Sequence, residues 1–327
     1  MNNQNLYRQY LELVEKRINE HVQVIEPKSL YEPFSYFMQA GGKRIRPVLT
    51  MISAGAVGGN PEEAVDIAAA IEILHNFTLV HDDIMDDSPL RRGRPTVHNK
   101  WDKNIAILVG DLMIGYACKL LPTHKQHERA AEIHKEFTDS LIIVSEGQAF
   151  DMDFNEKRDT TVDEYFVMIS KKTAHLLEAS AVVGGHAGFG SNRQIAALGK
   201  YGDNLGLAFQ IQDDLLDLTA DQAELGKQIG QDIVEGKKTY MMINARLRAQ
   251  SPEDKKLIDL FFENHGLGSE YVPVIKDMLD RLGILDDAKV RVKQFLNEAE
   301  ASLEVLEDNE YTRLLKWIIQ YLTDRKY

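Results

Sequence analysis

The residues of this chain best suited to chemistry are aspartates that recur in two spaced clusters. The first lies in HNFTLVHDDIMDDSPLRR and contains Asp82, Asp83 and Asp86, while the second, FQIQDDLLDL, contains Asp213, Asp214 and Asp217. At 3.6 residues per turn, His75, Leu79, Asp82 and Asp86 share one helix face, so two carboxylates point the same way one turn apart. Like charges taken out of water together are costly unless cations meet them, so such a pair calls for water or a metal ion. Ser88 and Pro89 then end the helix and hand the chain to Arg91 and Arg92, which sets anion binders beside cation binders. A single cluster of this kind reads equally well as a solvated acidic helix end. The second copy, again on a segment of helical spacing, leaves that reading little room.

Other segments carry groups suited to phosphate. In GGKRIRP, Gly41 and Gly42 let the backbone approach a ligand, and Lys43, Arg44 and Arg46 follow at once. Lys171, Lys172 and Thr173 fall in the middle of a helical pattern, surrounded by small and apolar residues. Lys227, Asp232, Lys237 and Lys238 lie among glycines in ELGKQIGQDIVEGKKT, a loop able to fold over a phosphate. Gln148, Asp151 and Asp153 close a long helix without a clear role. His98 is read as structural.

The elements that must position these groups are helices. Apolar residues recur at helical spacing over 6–25, 30–38, 47–57, 62–86, 105–121, 130–153 and 196–218, and four ordinary amphipathic helices are expected beyond Pro252. No convincing alternating strand appears, and no strand leads into a glycine-rich phosphate loop. The fold class is all-α, and with no linker or fixed-period repeat the chain is expected to form one large helical domain over 1–327.

Composition sets further limits. A chain of 327 residues with 44% apolar content can bury a large core, and a net charge of −13 argues against a nucleic-acid partner, whose phosphates need a basic footprint. The single cysteine, Cys118, fits a reducing compartment and is expected to be a small buried hydrophobe. The polar opening MNNQNLYRQY and the lack of an 18-residue apolar run point to a soluble, cytoplasmic protein without a transmembrane segment.

Together these parts describe a chemistry. Paired aspartates supply oxygen ligands of the kind that hold Mg²⁺ together with waters and substrate phosphates, lysines and arginines take the remaining anion contacts, and apolar helix faces enclose a dry cavity. Such a site suits a substrate that is diphosphate at one end and hydrocarbon at the other. Metal and cations would stabilise the departing diphosphate, and the dry pocket would protect a carbocation.

GGKRIRP, HDDIMDD followed by RRG, KKTA, FQIQDD with LLD, and GKKT, in this order and at these intervals, resemble the trans-isoprenyl diphosphate synthases over residues 30–240. The resemblance implies an all-α fold around a central cavity, a homodimer, and three Mg²⁺ per active site. The implied reaction is a head-to-tail 1'-4 condensation of isopentenyl diphosphate with an allylic diphosphate such as dimethylallyl, geranyl or farnesyl diphosphate. Position by position, Asp82, Asp86 and Asp213 match the magnesium ligands, with Asp83, Asp214 and Asp217 supporting. Lys43, Arg46, His75 and Arg92 match the isopentenyl diphosphate site, and Arg91, Lys172, Lys227 and Lys237 the allylic diphosphate contacts. Thr173 and Gln210 match residues near the reacting carbons. Lys171 and Lys238 leave two lysine assignments open by one position, and Tyr240 stands where the family often has leucine.

Product length turns on the residues before the first aspartate motif, Phe77 and Thr78. Five helical residues span about 7.5 Å, which would put Phe77 below the metals as a plug. This aromatic, with an uninterrupted DDxxD, resembles the geranylgeranyl type of the family, and the resemblance implies a C20 product, with C15 second and longer chains third. Two other classes compete: a class I terpene cyclase, which needs no second diphosphate site, and a non-catalytic partner subunit, in which damaged aspartate motifs would be expected.

Overall fold

The computed structural model describes residues 2–157, 159–219 and 229–323. The first helices are α1 (Asn3–His21), α2 (Lys28–Met38), α3 (Ile45–Ala56), α4 (Val65–Met85), the short α5 (Val97–Lys100), α6 (Lys103–Leu120) and α7 (Ala130–Glu156). Next come α8 (Val162–Ile169), a π-helical turn over Ser170–Ala174, α9 (His175–Ala187) and α10 (Asn192–Thr219). The chain ends with α11 (Gln231–Val234), α12 (Tyr240–Arg248), α13 (Pro252–Glu263), α14 (Val272–Arg281), α15 (Ile284–Ser302) and α16 (Glu310–Thr323). Among the described residues the strands are a two-residue antiparallel hairpin, in which Leu90 pairs with Pro95 and Arg91 with Arg94. The sequence reads this segment as loop. Two residues per strand leave no alternation to detect.

The chain divides into two compact units. The first comprises Met1–Ile142, Leu176–Gly202 and Ser302–Ile318, and the second Ile143–His175, Asp203–Ala301 and Ile319–Tyr327. In the first, α4 is the central helix, and Ile67 to Leu74 on it are almost wholly buried. A helix apolar on every side has to be an interior helix, which explains why its hydrophobic residues do not confine themselves to one stripe. Pro61–Met85 is long and apolar enough to cross a membrane by length and composition, yet 61% of its apolar window is buried inside the protein. Gly110 on α6 brings that helix close to α4: a Cβ at Gly110 would lie 2.1 Å from His81 Nε2. In the second unit, Tyr165, Ile211, Ile275, Leu279 and Ile284 are core residues.

Cys118 corrects its expectation. It is exposed, on the outer side of α6 beside the exposed Lys119, where the helix rotation leaves no core to fill.

Candidate active site

In the first unit, the turn carrying GGKRIRP separates its three cations. Arg44 adopts the left-handed conformation (φ 48°) at the start of α3. Its buried guanidinium meets Glu72 at 2.6 Å and the Met38 carbonyl at 2.8 Å, and Glu72 also accepts from Asn76 Nδ2 at 2.9 Å. A non-glycine residue there costs of order 1 kcal/mol, and the buried ion pair holds it in place. Arg44 is thereby an anchor for the turn, while Arg46 lies 3.2 Å from His75 Nε2 through its Nη1. The exposed Lys43 receives the Tyr7 hydroxyl on its backbone carbonyl at 2.5 Å. Burial, then the charges of Arg46, Arg92, Arg91 and Arg44, push the His75 pKa well below the ordinary imidazole value, so the ring is neutral. Thr78 donates its hydroxyl to the His75 carbonyl at 2.8 Å.

The first aspartate motif splits by helix rotation. Asp86 closes α4, its backbone N–H bonded to the Asp82 carbonyl at 2.8 Å, and Asp82 is half-buried while Asp86 is exposed. Asp83 lies 100° further round and points inward, 1% exposed. Its Oδ1 accepts from Arg91 Nε at 2.7 Å, and burial raises its pKa against that pairing. Asp83 therefore orients Arg91, and the hairpin fixes the arginines' spacing. Arg92 (φ 52°) donates to the Gly41 carbonyl, and a Cβ at Gly42 would lie 3.1 Å from its Nη1. Glycine at 42 is what lets that guanidinium close over the turn. Phe77, half-buried, meets the His81 ring edge-on at 4.6 Å between centroids.

In the second unit, the segment read as mid-helix is a π-turn, a feature frequent at functional sites. It places its two lysines on different partners: Lys171 pairs with Glu146, and Lys172 with Asp151 at 2.5 Å. Gly147 on α7 makes the close approach possible, because a Cβ there would lie 2.3 Å from the Lys172 amide nitrogen. Gln148, one turn before Asp151, is buried, and neither end of its amide has a hydrogen-bond partner among the described residues. Thr173 donates to Gln210 Oε1 at 2.8 Å, Gln210 Nε2 donates to Asp214 Oδ1 at 2.7 Å, and the Tyr165 hydroxyl donates to Asp214 Oδ2 at 2.7 Å.

The second aspartate motif splits as the first does. Asp213 is exposed and Asp217 half-buried, whereas Asp214 is buried. Asp217 Oδ2 accepts from the Asp232 backbone N–H at 3.0 Å. Burial and the neighbouring Asp232 push Asp214 well above the carboxylate range, and Asp232 itself is raised to about 6, mainly by burial. Lys237 meets Asp232 at 3.4 Å and Glu235 at 2.8 Å, while Lys238 turns inward to the carbonyls of Phe154 and Lys157. Of that lysine pair, Lys237 is the one paired with Asp232 and Glu235. Lys227 lies outside the described residues. Tyr165 is the participant that the sequence does not mark, whereas Asp151 reads there without a clear role and Asp232 as part of the glycine-rich loop.

An all-helical fold bearing two aspartate motifs with lysines, arginines and a Thr–Gln pair defines the class of an isoprenoid-type synthase. The family model for polyprenyl synthetase matches residues 27–277. A short chain isoprenyl diphosphate synthase of Methanothermobacter thermautotrophicus is 40% identical over 99% of this chain and 98% of its own length. A geranylfarnesyl diphosphate synthase of Natronomonas pharaonis is 35% identical over 97% and 96%. The crystal structure of geranylgeranyl pyrophosphate synthetase from Pyrococcus horikoshii superposes with a TM-score of 0.91 at 36% identity, covering both chains fully. The chain belongs to the polyprenyl synthetase family and is a prenyltransferase of isoprenoid biosynthesis.

Proposed function

We propose that this enzyme condenses isopentenyl diphosphate with an allylic diphosphate, head to tail, and releases a C20 geranylgeranyl product. The observation that carries the reading is the matched division of the two aspartate motifs. In each, the middle carboxylate is buried in protein contacts (Asp83 on Arg91, Asp214 on Tyr165 and Gln210), while the other two are half-buried or exposed.

The donor set fits magnesium. Every candidate ligand is a carboxylate oxygen, and no group of three or more metal-binding side chains converges among the described residues. Mg²⁺ is ordinarily held in this way, by one or two carboxylates with waters and substrate phosphates completing its octahedron. By resemblance, Asp82, Asp86 and Asp213 would hold Mg²⁺ ions, three per active site, and these would supply charge neutralisation for the leaving diphosphate.

The chain's own residues do the rest. Lys43, Arg46, Arg92 and neutral His75 bind the diphosphate of isopentenyl diphosphate; an imidazole without charge beside four arginines accepts or donates one hydrogen bond without adding repulsion. Arg91, Lys172 and Lys237, with Lys227 by resemblance, bind the allylic diphosphate. The unpartnered Gln148 amide offers that region a donor and an acceptor. Thr173 and Gln210 place oxygens near the carbon from which diphosphate departs. The released diphosphate takes the final proton, so no side-chain base is required. Phe77 limits the chain length, and the exposed Ile107, Leu108 and Ile142 suit burial in a homodimer.

The test is incubation of the purified protein with isopentenyl diphosphate, Mg²⁺ and each of the C5, C10 and C15 allylic diphosphates in turn, with product lengths resolved. A dominant C20 product is expected. Dominant C15 or C25 keeps the condensation and overturns the length assignment, and no condensation from folded protein overturns both.

A further inference from the structure

We propose that Tyr165 is a positioning residue for this prenyl transfer: acting through the Asp214 carboxylate, it fixes the Gln210 amide so that Gln210 and Thr173 present oxygen lone pairs to the reacting allylic carbon. The inference rests on the condensation proposed above.

Its basis is the direction of a hydrogen-bonded relay. Tyr165 O–H points to Asp214 Oδ2, Gln210 Nε2 to Asp214 Oδ1, and Thr173 O–H to Gln210 Oε1, at 2.7, 2.7 and 2.8 Å. One Gln210 amide hydrogen and both hydroxyl hydrogens are therefore committed within the relay. Asp214 takes the Tyr165 hydroxyl hydrogen on Oδ2 and the Gln210 Nε2 hydrogen on Oδ1, so it presents an acceptor to the amide and sets which end faces it. The reversed amide would set oxygen against oxygen at Asp214 and would turn the Thr173 hydroxyl hydrogen away from its acceptor. Such a hydrogen, directed at a developing carbocation, would repel it; lone pairs fixed before the reaction stabilise it without reorganisation.

Tyr165 is well placed to hold the far end. It is 1% exposed, and its ring packs against Phe166 and Tyr240 with centroids 5.7 and 6.2 Å away. Helix α8, which carries it, starts with a reciprocal cap between Thr161 and Glu164 and runs straight into the π-turn that bears Thr173. Gln210 and Asp214 lie one turn apart on α10. The relay thus joins two points of the α8 and π-turn segment to two points of α10, and removing the Tyr165 hydroxyl frees Asp214 to rotate.

The experiment is Tyr165→Phe, which keeps the ring and deletes only the oxygen. With steady-state kinetics taken well below each variant's melting temperature, kcat is expected to fall roughly tenfold, the size typical of lost outer support for a reacting group. KM for both diphosphates should stay within about twofold, and product length should not change. Double-mutant cycles supply the decisive reading. In a Gln210→Leu background, and separately in Thr173→Val, the further loss on Tyr165→Phe should shrink to less than about twofold, because the relay is already cut. The full tenfold loss in both backgrounds, or an unchanged kcat with only a lower melting temperature, would show Tyr165 to be a packing residue and overturn the inference. Inactive wild-type protein would instead refute the condensation reading itself.

Discussion

His75 shows how a single residue's surroundings decide its chemistry. Histidine ordinarily titrates near neutrality, but here burial and four arginines hold the imidazole neutral far into acid. The unfolded chain takes up a proton near pH 6.5 and the folded one does not, so stability is lost as pH falls from that value toward the lower folded pKa. Melting temperature followed from pH 8 to 5 should therefore decline less in His75→Gln than in the wild type, and parallel curves would sink this reading. Phe77 makes a second prediction at this scale. Its half-buried ring stands edge-on to His81, and if it forms the floor under the growing chain, Phe77→Ala should shift products by one or more C5 units beyond those of the wild type. An unchanged distribution would remove Phe77 from the floor. Much at this scale was readable in advance: spacing alone set Asp82 and Asp86 on one helix face, and the same 100° step sets Asp83 off it. The choice between Lys237 and Lys238 was not readable, since adjacent residues in a turn diverge according to what lies around them, here the carbonyls of Phe154 and Lys157.

Among the elements, the π-turn over Ser170–Ala174 has the largest consequence. Lys172 and Thr173 read from sequence as site candidates in the middle of a continuous helix, and the π-turn gives them Asp151 and Gln210 as partners. A π-turn has no local composition signature, because a close tertiary approach imposes it. Gly147 supplies that approach on one side and Gly206 on the other, where a Cβ would lie 2.3 Å from Ala174 Cα. Gly147→Ala is expected to destabilise by about 1–3 kcal/mol, the usual range for overpacking. It should also displace Lys172, so KM for the allylic diphosphate should rise several-fold while KM for isopentenyl diphosphate holds. Equal changes in both constants would count against a local effect. The boundaries of α2, α4, α6, α7 and α10 were legible to within a few residues because each carries a long periodic apolar pattern, whereas the hairpin at Leu90–Pro95 was not, being set by Arg91 on Asp83 and by the turn at Gly93.

For the molecule as a whole, charge is the governing quantity. In a chain of net charge −13, burial and then the neighbouring carboxylates leave Asp214 and Asp232 with raised affinities for protons, so excess negative charge there is costly. A proton is one means of relieving that excess, and a divalent cation is another. Because no three ligands converge among the described residues, Mg²⁺ alone should bind weakly, with its coordination completed only when a diphosphate arrives. Ligand binding to the folded state raises stability by RT ln(1 + [L]/Kd), about 2.7 kcal/mol at a hundredfold excess over Kd. Thermal melts should accordingly show a small shift with Mg²⁺ alone and a small shift with inorganic diphosphate alone. Both together should give a shift larger than their sum, and Asp82→Ala and Asp213→Ala should each reduce this excess. A full shift with Mg²⁺ alone would instead mean that the carboxylates form a closed metal site before substrate enters, and the diphosphate would no longer be needed to complete it.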